Sequence, residues 1–406
     1  MIFALAWRNL WRRPRRTWLS ISGLAFAAAF LIFMPSLQNG AYRAMINNTL
    51  HLYDGYAQID RPGYRAEPEI RDTLKDVSGL LGAVRAVDGA ETASARAAAY
   101  VLLSASGRSF GAQVIGVEPT TEALVSTVSK DVRTGRFLAD DDDAEILLGA
   151  TLARNLRVDV GDRVTLLGTD KDGSLAADAF TVVGTFETGI ADMDRLTAEI
   201  PLKRFQATFS MPNEAHTIVV TSPNLGSFAP ILARLRTVAD SRGLELLDWW
   251  ALQPGMWQAI LLDLSTAVLI YVAMVIVITF TLLNSLLMSV LERTSEFGML
   301  MALGMRPGQI GWMVWVETVL LLALGLAVGM ALGVAVTSYF GGSGIVFGQA
   351  QEIFGQFGLS GAMYPKLSAL TILAGPAVIG IGTLLAGFFP FWRVYRLQPV
   401  PAMRTV

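Results

Sequence analysis

Apolar and polar positions divide the chain into four long unbroken hydrophobic runs and one extended stretch patterned like a soluble fold. A membrane helix needs about 20 mainly apolar residues. Residues 17–39, 264–290, 310–340 and 367–392 meet that length, and the second run includes eleven consecutive residues, 268–278, without a charge. Between the first two runs the pattern changes. Residues 41–53 continue the first helix outward. Ile70, Leu74, Val77, Leu81 and Val84 recur at spacings of three and four, which predicts an amphipathic helix over 67–87. The runs 96–104 and 109–117 flank Ala105-Ser106-Gly107-Arg108 and predict a hairpin. A second strand pair, 162–168 and 180–186, is joined by a polar turn containing Asp172-Gly173. Residues 230–242 predict a further helix, with Pro230 suited to its first turn and Gly243 to its end. The expected fold is therefore an α-helical membrane protein with four transmembrane helices. A large α+β domain, residues 40–263, is inserted between helices 1 and 2.

Charge adds an orientation. Arg8, Arg12, Arg13, Arg15 and Arg16 precede the first span, Arg293 and Arg306 lie between the second and third, and Arg393, Arg396 and Arg404 follow the fourth. In the loop 341–366 the one Lys or Arg is Lys366. Because Lys and Arg accumulate on the cytoplasmic side of short loops, residues 1–16, 291–309 and 393–406 are expected inside, and 40–263 and 341–366 outside. A basic front before an apolar centre also fits a cleaved signal peptide. No small-x-small cleavage site follows Pro35 and three spans come later, so an uncleaved anchor is favoured. The outer stretch holds 21 Lys and Arg against 30 Asp and Glu, a formal charge of −9, which argues against a nucleic-acid partner.

Composition agrees with lipid solvation. Of 406 residues, 53% are hydrophobic and 16% charged, whereas soluble domains carry roughly 25% charged residues. Cysteine is absent, which excludes disulfides and thiolate metal sites. His51 and His216 lie far apart, and no metal centre is expected from them. Asp140 to Asp143 with Glu145 lack the ligand spacing and turn glycine of an EF-hand and fit a solvated acidic turn. No P-loop, nucleophile elbow or HExxH string occurs, so no catalytic residue is expected.

Three features carry candidate function. The string Leu-Glu-Arg-Thr-Ser-Glu-Phe-Gly-Met-Leu-Met-Ala-Leu-Gly, residues 291–304, is a short amphipathic segment wedged between two spans. Leu291, Met299, Leu300 and Leu303 are expected on an apolar face beside Glu292, Arg293 and Glu296, which suits a helix seated in a groove with a polar rim. A solvated turn at the lipid surface is the alternative. Glu317 sits inside the third span, where a charge costs a few kcal/mol and must face a partner or water. Gly325, Gly329 and Gly333 form a tandem GxxxG, a small face that lets helices approach closely, within the chain or across a dimer.

The 291–304 string resembles the cytoplasmic coupling segment of the FtsX-like permeases, ABC-transporter membrane subunits that include the LolC/LolE and MacB classes. Short strings beginning at Gly116, Leu148, Val160 and Val182 resemble, in order and spacing, elements of the MacB/LolC-type periplasmic domain. The end of the chain, finishing Pro399-Val-Pro-Ala-Met-Arg404, resembles the family's tail. The resemblance implies a multi-pass protein of the bacterial inner membrane that binds no cofactor itself. ATP and magnesium would belong to a partner ATPase docking on Glu292, Arg293, Glu296, Gly298, Met299, Leu300, Leu303 and Gly304. It further implies a second permease chain, identical or paralogous, and a periplasmic carrier or adaptor. The implied activity is ATP-driven extraction or export of a lipoprotein, lipid or other hydrophobic substrate. The alternative is mechanical regulation of an extracytoplasmic partner, such as a cell-wall hydrolase, without transport.

Overall fold

A computed structural model describes residues 2–90, 92–139, 143–222, 228–346 and 362–396. The chain separates into two compact units. Among the described residues, one comprises 2–43, 259–346 and 362–396, and the other 44–258.

The first unit is helical. A short helix, Ile2–Leu10, leads into the first long helix, Pro14–Thr49, which a π-helical turn extends to Asp54. The second, third and fourth long helices are Pro254–Glu292, Pro307–Ser343 and Ala369–Tyr395, and a short helix, Thr294–Ala302, lies between the second and third. All four are long and apolar enough to cross a bilayer. Between apolar helices in lipid, close packing replaces the hydrophobic effect as the source of association. The third helix accordingly meets the first through its glycines. A Cβ built on Gly325 would lie 2.6 Å from Leu24 Cβ, on Gly329 2.6 Å from the Ala25 carbonyl oxygen, and on Gly333 3.0 Å from Ala29 Cα. The small-residue stripe is thus filled from within the chain. The fourth helix closes on the third at Gly387 against Thr318 and at Gly311 against Phe391. Leu24, Ala27, Ala28, Leu31, Leu282, Leu322 and Ile379 form the core among the four long helices.

The second unit is built on a ten-stranded sheet: β1 (Ala57–Asp60), β2 (Ala93–Ala105), β3 (Arg108–Val117), β4 (Val132–Gly135), β5 (Glu145–Gly149), β6 (Arg163–Thr169), β7 (Leu175–Phe186), β8 (Thr197–Pro201), β9 (Thr217–Val220) and β10 (Glu245–Asp248). The strand order is β10-β1-β9-β2-β3-β8-β5-β7-β4, and β6 pairs with both β2 and β7, so six strands close into a ring. The β2/β3 hairpin pairs Ala105 with Arg108. Ser106 and Gly107 between them both have positive φ, at 52° and 75°, the two-residue turn whose twist matches the strands.

Two expectations change. The sheet is mixed rather than segregated α+β, because β3/β8 and β5/β7 pair in parallel among otherwise antiparallel neighbours. The helix expected over 67–87 shrinks to Val77–Arg85. Leu74 leaves the helical path to pair with Ala215, and Asp76, at φ 51°, caps the shortened helix on the Gly79 N–H. Residues Asp140 to Asp142 of the acidic turn, and the tail motif from Gln398 onward, lie outside the described residues. Glu145 is bound by Arg136 and the Ala139 N–H, which holds its carboxyl below the usual range.

Charge is buried inside this unit. Arg96 reaches Glu122 through Nε at 3.1 Å and Nη2 at 2.5 Å, with Ser94 donating to the same carboxylate and the Tyr53 ring 3.9 Å from the guanidinium carbon. Glu199 on β8 is fully buried and neither carboxyl oxygen has a hydrogen-bond partner. Burial, then the nearby charge of Glu122, push its pKa up to about 8. His216 accepts from the Ala98 N–H through Nδ1, reaches the Ile70 carbonyl through Nε2, and stacks on Tyr64. Both ring nitrogens are thereby used in the fold.

Candidate coupling site

The segment between the second and third long helices folds as a nine-residue helix, Thr294–Ala302. The second long helix ends at Glu292, and Arg293 breaks the path with φ −110° and ψ 12°. That break resets the helical phase, so Leu291 belongs to the helix before it. The single apolar face expected from Leu291, Met299, Leu300 and Leu303 therefore does not form. Phe297, only 1% exposed, and the half-buried Leu300 turn inward onto a core of Ala6, Val290, Ile310, Met313, Val314 and Val394. Met299 and Leu303 turn outward, 62% and 79% exposed. Gly298 is buried on the inner side. Gly304, at φ 99°, ends the segment in a backbone conformation that L side chains avoid. Two further bonds complete this Schellman-type stop: Gly304 N–H to the Met301 carbonyl and Met305 N–H to the Leu300 carbonyl, both 3.0 Å.

The charges of the segment are engaged within the chain. Glu296 accepts from Arg12 at 3.1 Å and from Arg293 at 3.4 Å. Glu292 pairs with Arg13 and, at 3.4 Å, with Arg16. Arg293 continues to Glu317 on the third helix at 3.3 Å, with both side chains less than one-fifth exposed. A carboxylate set among apolar residues is costly unless it is paired, and this pairing accounts for Glu317. The arginines that orient the first span thus also fasten the 291–304 segment. Exposed pairs of this kind are worth about 0–1 kcal/mol each, and Arg293–Glu317 is the most buried of them. Sequence reasoning missed Phe297 as the inner anchor and Arg12, Arg13 and Arg16 as partners. The only available signal was a basic cluster and an acidic segment of matching charge, more than 270 residues apart.

The resulting surface presents two apolar side chains, Met299 and Leu303, on a helix whose other face is bound to the N-terminal segment 2–13 and the third long helix.

Comparison with known proteins places this geometry in a family. The profile of the MacB-like periplasmic core domain matches residues 17–238, and that of the FtsX-like permease C-terminal region matches residues 268–399. The chain is similar to the lipoprotein-releasing system transmembrane protein LolC of Neisseria meningitidis serogroup B, 24% identical over 402 residues, covering 96% of this chain and 94% of that protein. It is also similar to the macrolide export ATP-binding/permease protein MacB of Nitrobacter winogradskyi, 23% identical over 412 residues, covering 96% of this chain and 58% of that protein. With both halves matched in order, the chain belongs to the ABC-transporter permeases of the LolC/MacB type, built from a MacB-like periplasmic core domain and an FtsX-like permease region.

Proposed function

We propose that this permease transmits the ATP-driven motion of a separate ATPase subunit, through the helix Thr294–Ala302, to its outer domain in order to extract a lipoprotein or related lipid from the inner membrane. The observation that carries the reading is the two-sidedness of that helix. Met299 and Leu303 face outward, while Phe297, Arg293 and Glu296 bind it to the N-terminal segment 2–13 and the third long helix. A partner gripping the outer side moves the helices on the inner side. The energy comes from ATP hydrolysis in the partner, which also binds the magnesium. A working unit requires a second permease chain, and the substrate passes to a periplasmic carrier. Similarity to LolC along nearly the whole of both chains supports lipoprotein over macrolide as the substrate class.

The test is co-purification of the cognate ATPase in mild detergent with Met299→Asp and Leu303→Asp. Truncating a buried anchor commonly costs about 2 kcal/mol or more, roughly thirtyfold in affinity. ATPase recovery should fall at least tenfold at unchanged membrane levels of the permease. Full recovery with full ATP-driven activity would refute the docking assignment. Release of a labelled lipoprotein from proteoliposomes, dependent on ATP and carrier, tests the substrate. ATP turnover without release, stimulated by a cell-wall hydrolase, would replace transport with regulation.

A further inference from the structure

At the arginine end of the helical unit the first and second long helices leave a groove between them. Its outer part, about 250 Å³, is lined by Arg12, Arg13, Arg16 and Arg293 together with Glu296 and Glu317. Its inner part, about 270 Å³, runs between Leu19, Gly23 and Leu24 of the first helix and Ile278, Thr281 and Leu282 of the second. Arg16, Ser20 and Ser285 line both parts, so the two are continuous, charged at one end and apolar at the other.

The charge balance of the outer part favours an anion. Four guanidinium groups face two carboxylates, and Glu292, which pairs with Arg13 and Arg16, still leaves one positive charge in excess. Arg12 and Arg13 keep more than half of their side-chain surface in the open, and each guanidinium has five donors in a fork that fits phosphate. Arg16 is held at the junction by donating to the Ser285 carbonyl. The inner part is a vacancy in helix packing. A Cβ on Gly23 would meet nothing within 4 Å, whereas Gly325, Gly329 and Gly333 are in tight contact. Trp7, Trp11 and Trp18, all exposed, form an edge-to-face series beside these arginines, at centroid spacings of 6.1 and 5.9 Å. Tryptophan concentrates at headgroup depth, which puts the guanidinium groups at phosphate level and the Gly23 groove at acyl-chain level.

We propose that this groove binds an anionic phospholipid, with its phosphate on Arg12, Arg13 and Arg16 and one acyl chain lying along Gly23 between the first and second long helices. Binding draws on the same guanidinium groups that hold Glu292 and Glu296, so lipid occupancy and the fastening of the Thr294–Ala302 helix compete.

The test uses the full chain, delipidated in neutral detergent and titrated with phosphatidylglycerol or phosphatidylcholine, with bound lipid counted by native mass spectrometry. Phosphatidylglycerol should bind at least tenfold more tightly than phosphatidylcholine. Gly23→Leu fills the apolar groove without altering charge, and it should weaken phosphatidylglycerol binding at least tenfold, as should Arg13→Gln combined with Arg16→Gln. Gly342→Leu, on the third helix where an added Cβ also meets nothing within 4 Å, should leave binding unchanged. Excess inorganic phosphate should not displace the lipid. Equal binding of the two lipids, undiminished binding by Gly23→Leu, or displacement by phosphate alone would each overturn the proposal.

Discussion

Replacing Gly329 with alanine is the smallest change that tests how the first and third helices are held together. The new Cβ would lie 2.6 Å from the Ala25 carbonyl oxygen and 2.7 Å from Ala28 Cβ. Non-bonded heavy atoms rest at about 3.5–4.0 Å, so the helices must part locally by about 1 Å. Backbone lies on the opposing side, and no side-chain rotation relieves the contact. Overpacking of this kind costs about 1–3 kcal/mol, against an intrinsic helix gain of up to about 1 kcal/mol for Gly→Ala. At Gly23, where the added methyl meets open space, only the gain applies. The two alanine variants should therefore differ by about 2 kcal/mol, roughly thirtyfold in the unfolding equilibrium. Reversible unfolding in mixed micelles of rising dodecyl sulfate content, followed by tryptophan fluorescence, measures this. Gly325→Ala should resemble Gly329→Ala, and Gly333→Ala, whose nearest contact is 3.0 Å, should be milder. Gly329→Leu should prevent assembly. Stability of Gly329→Ala equal to that of Gly23→Ala would refute the packing argument.

Three further outcomes follow from the charges. Arg96→Met strands the buried Glu122 carboxylate without its cation and should cost about 3–5 kcal/mol in unfolding experiments, whereas Arg61→Met, at an exposed pair with Asp72, should cost about 1 kcal/mol or less. Glu199 is raised from 4.5 to about 8 in the fold, so its protonated form is the one the fold favours. Its contribution is complete below pH 4.5 and lost as pH rises through 8; Glu199→Gln should flatten that part of the thermal stability–pH profile, and an unchanged slope would count against a buried neutral acid facing Arg96, Glu122 and Tyr53. A double-mutant cycle on Arg293→Gln and Glu317→Gln should return a coupling of about 1–3 kcal/mol in micelle unfolding, and additivity of the two changes would show that the pair contributes nothing.

The four spans were legible because each is an apolar run of bilayer length, but their ends were not. The second helix begins at Pro254, ten residues before its apolar window, because after Pro254 and Gly255 in its first turn the residues between carry no helix breaker. Within 291–304, composition identified an amphipathic segment, and the assignment of faces failed at Arg293. A break in helical phase leaves no mark in residue type, so Leu300 was expected to face the same way as Met299 and Leu303. The GxxxG stripe announced close packing without naming its partner, which turned out to be the run around Ala25, Ala28 and Ala29. The Arg96–Glu122–Glu199 cluster was invisible in sequence, since its members come from three separate elements that only sheet topology brings together.

The turn after Leu303 has a mechanical consequence. Gly304 is committed to its Schellman stop, the Arg306 N–H is held by the Gln309 side chain at 3.1 Å, and Pro307 fixes the first turn of the third long helix. A joint of four residues with each torsion constrained has little slack in which to absorb displacement as chain entropy. Were a partner to displace Thr294–Ala302, such a joint would pass the movement to the foot of the third helix as a stiff lever, and inserting two flexible residues beside Gly304 would turn the lever into a tether.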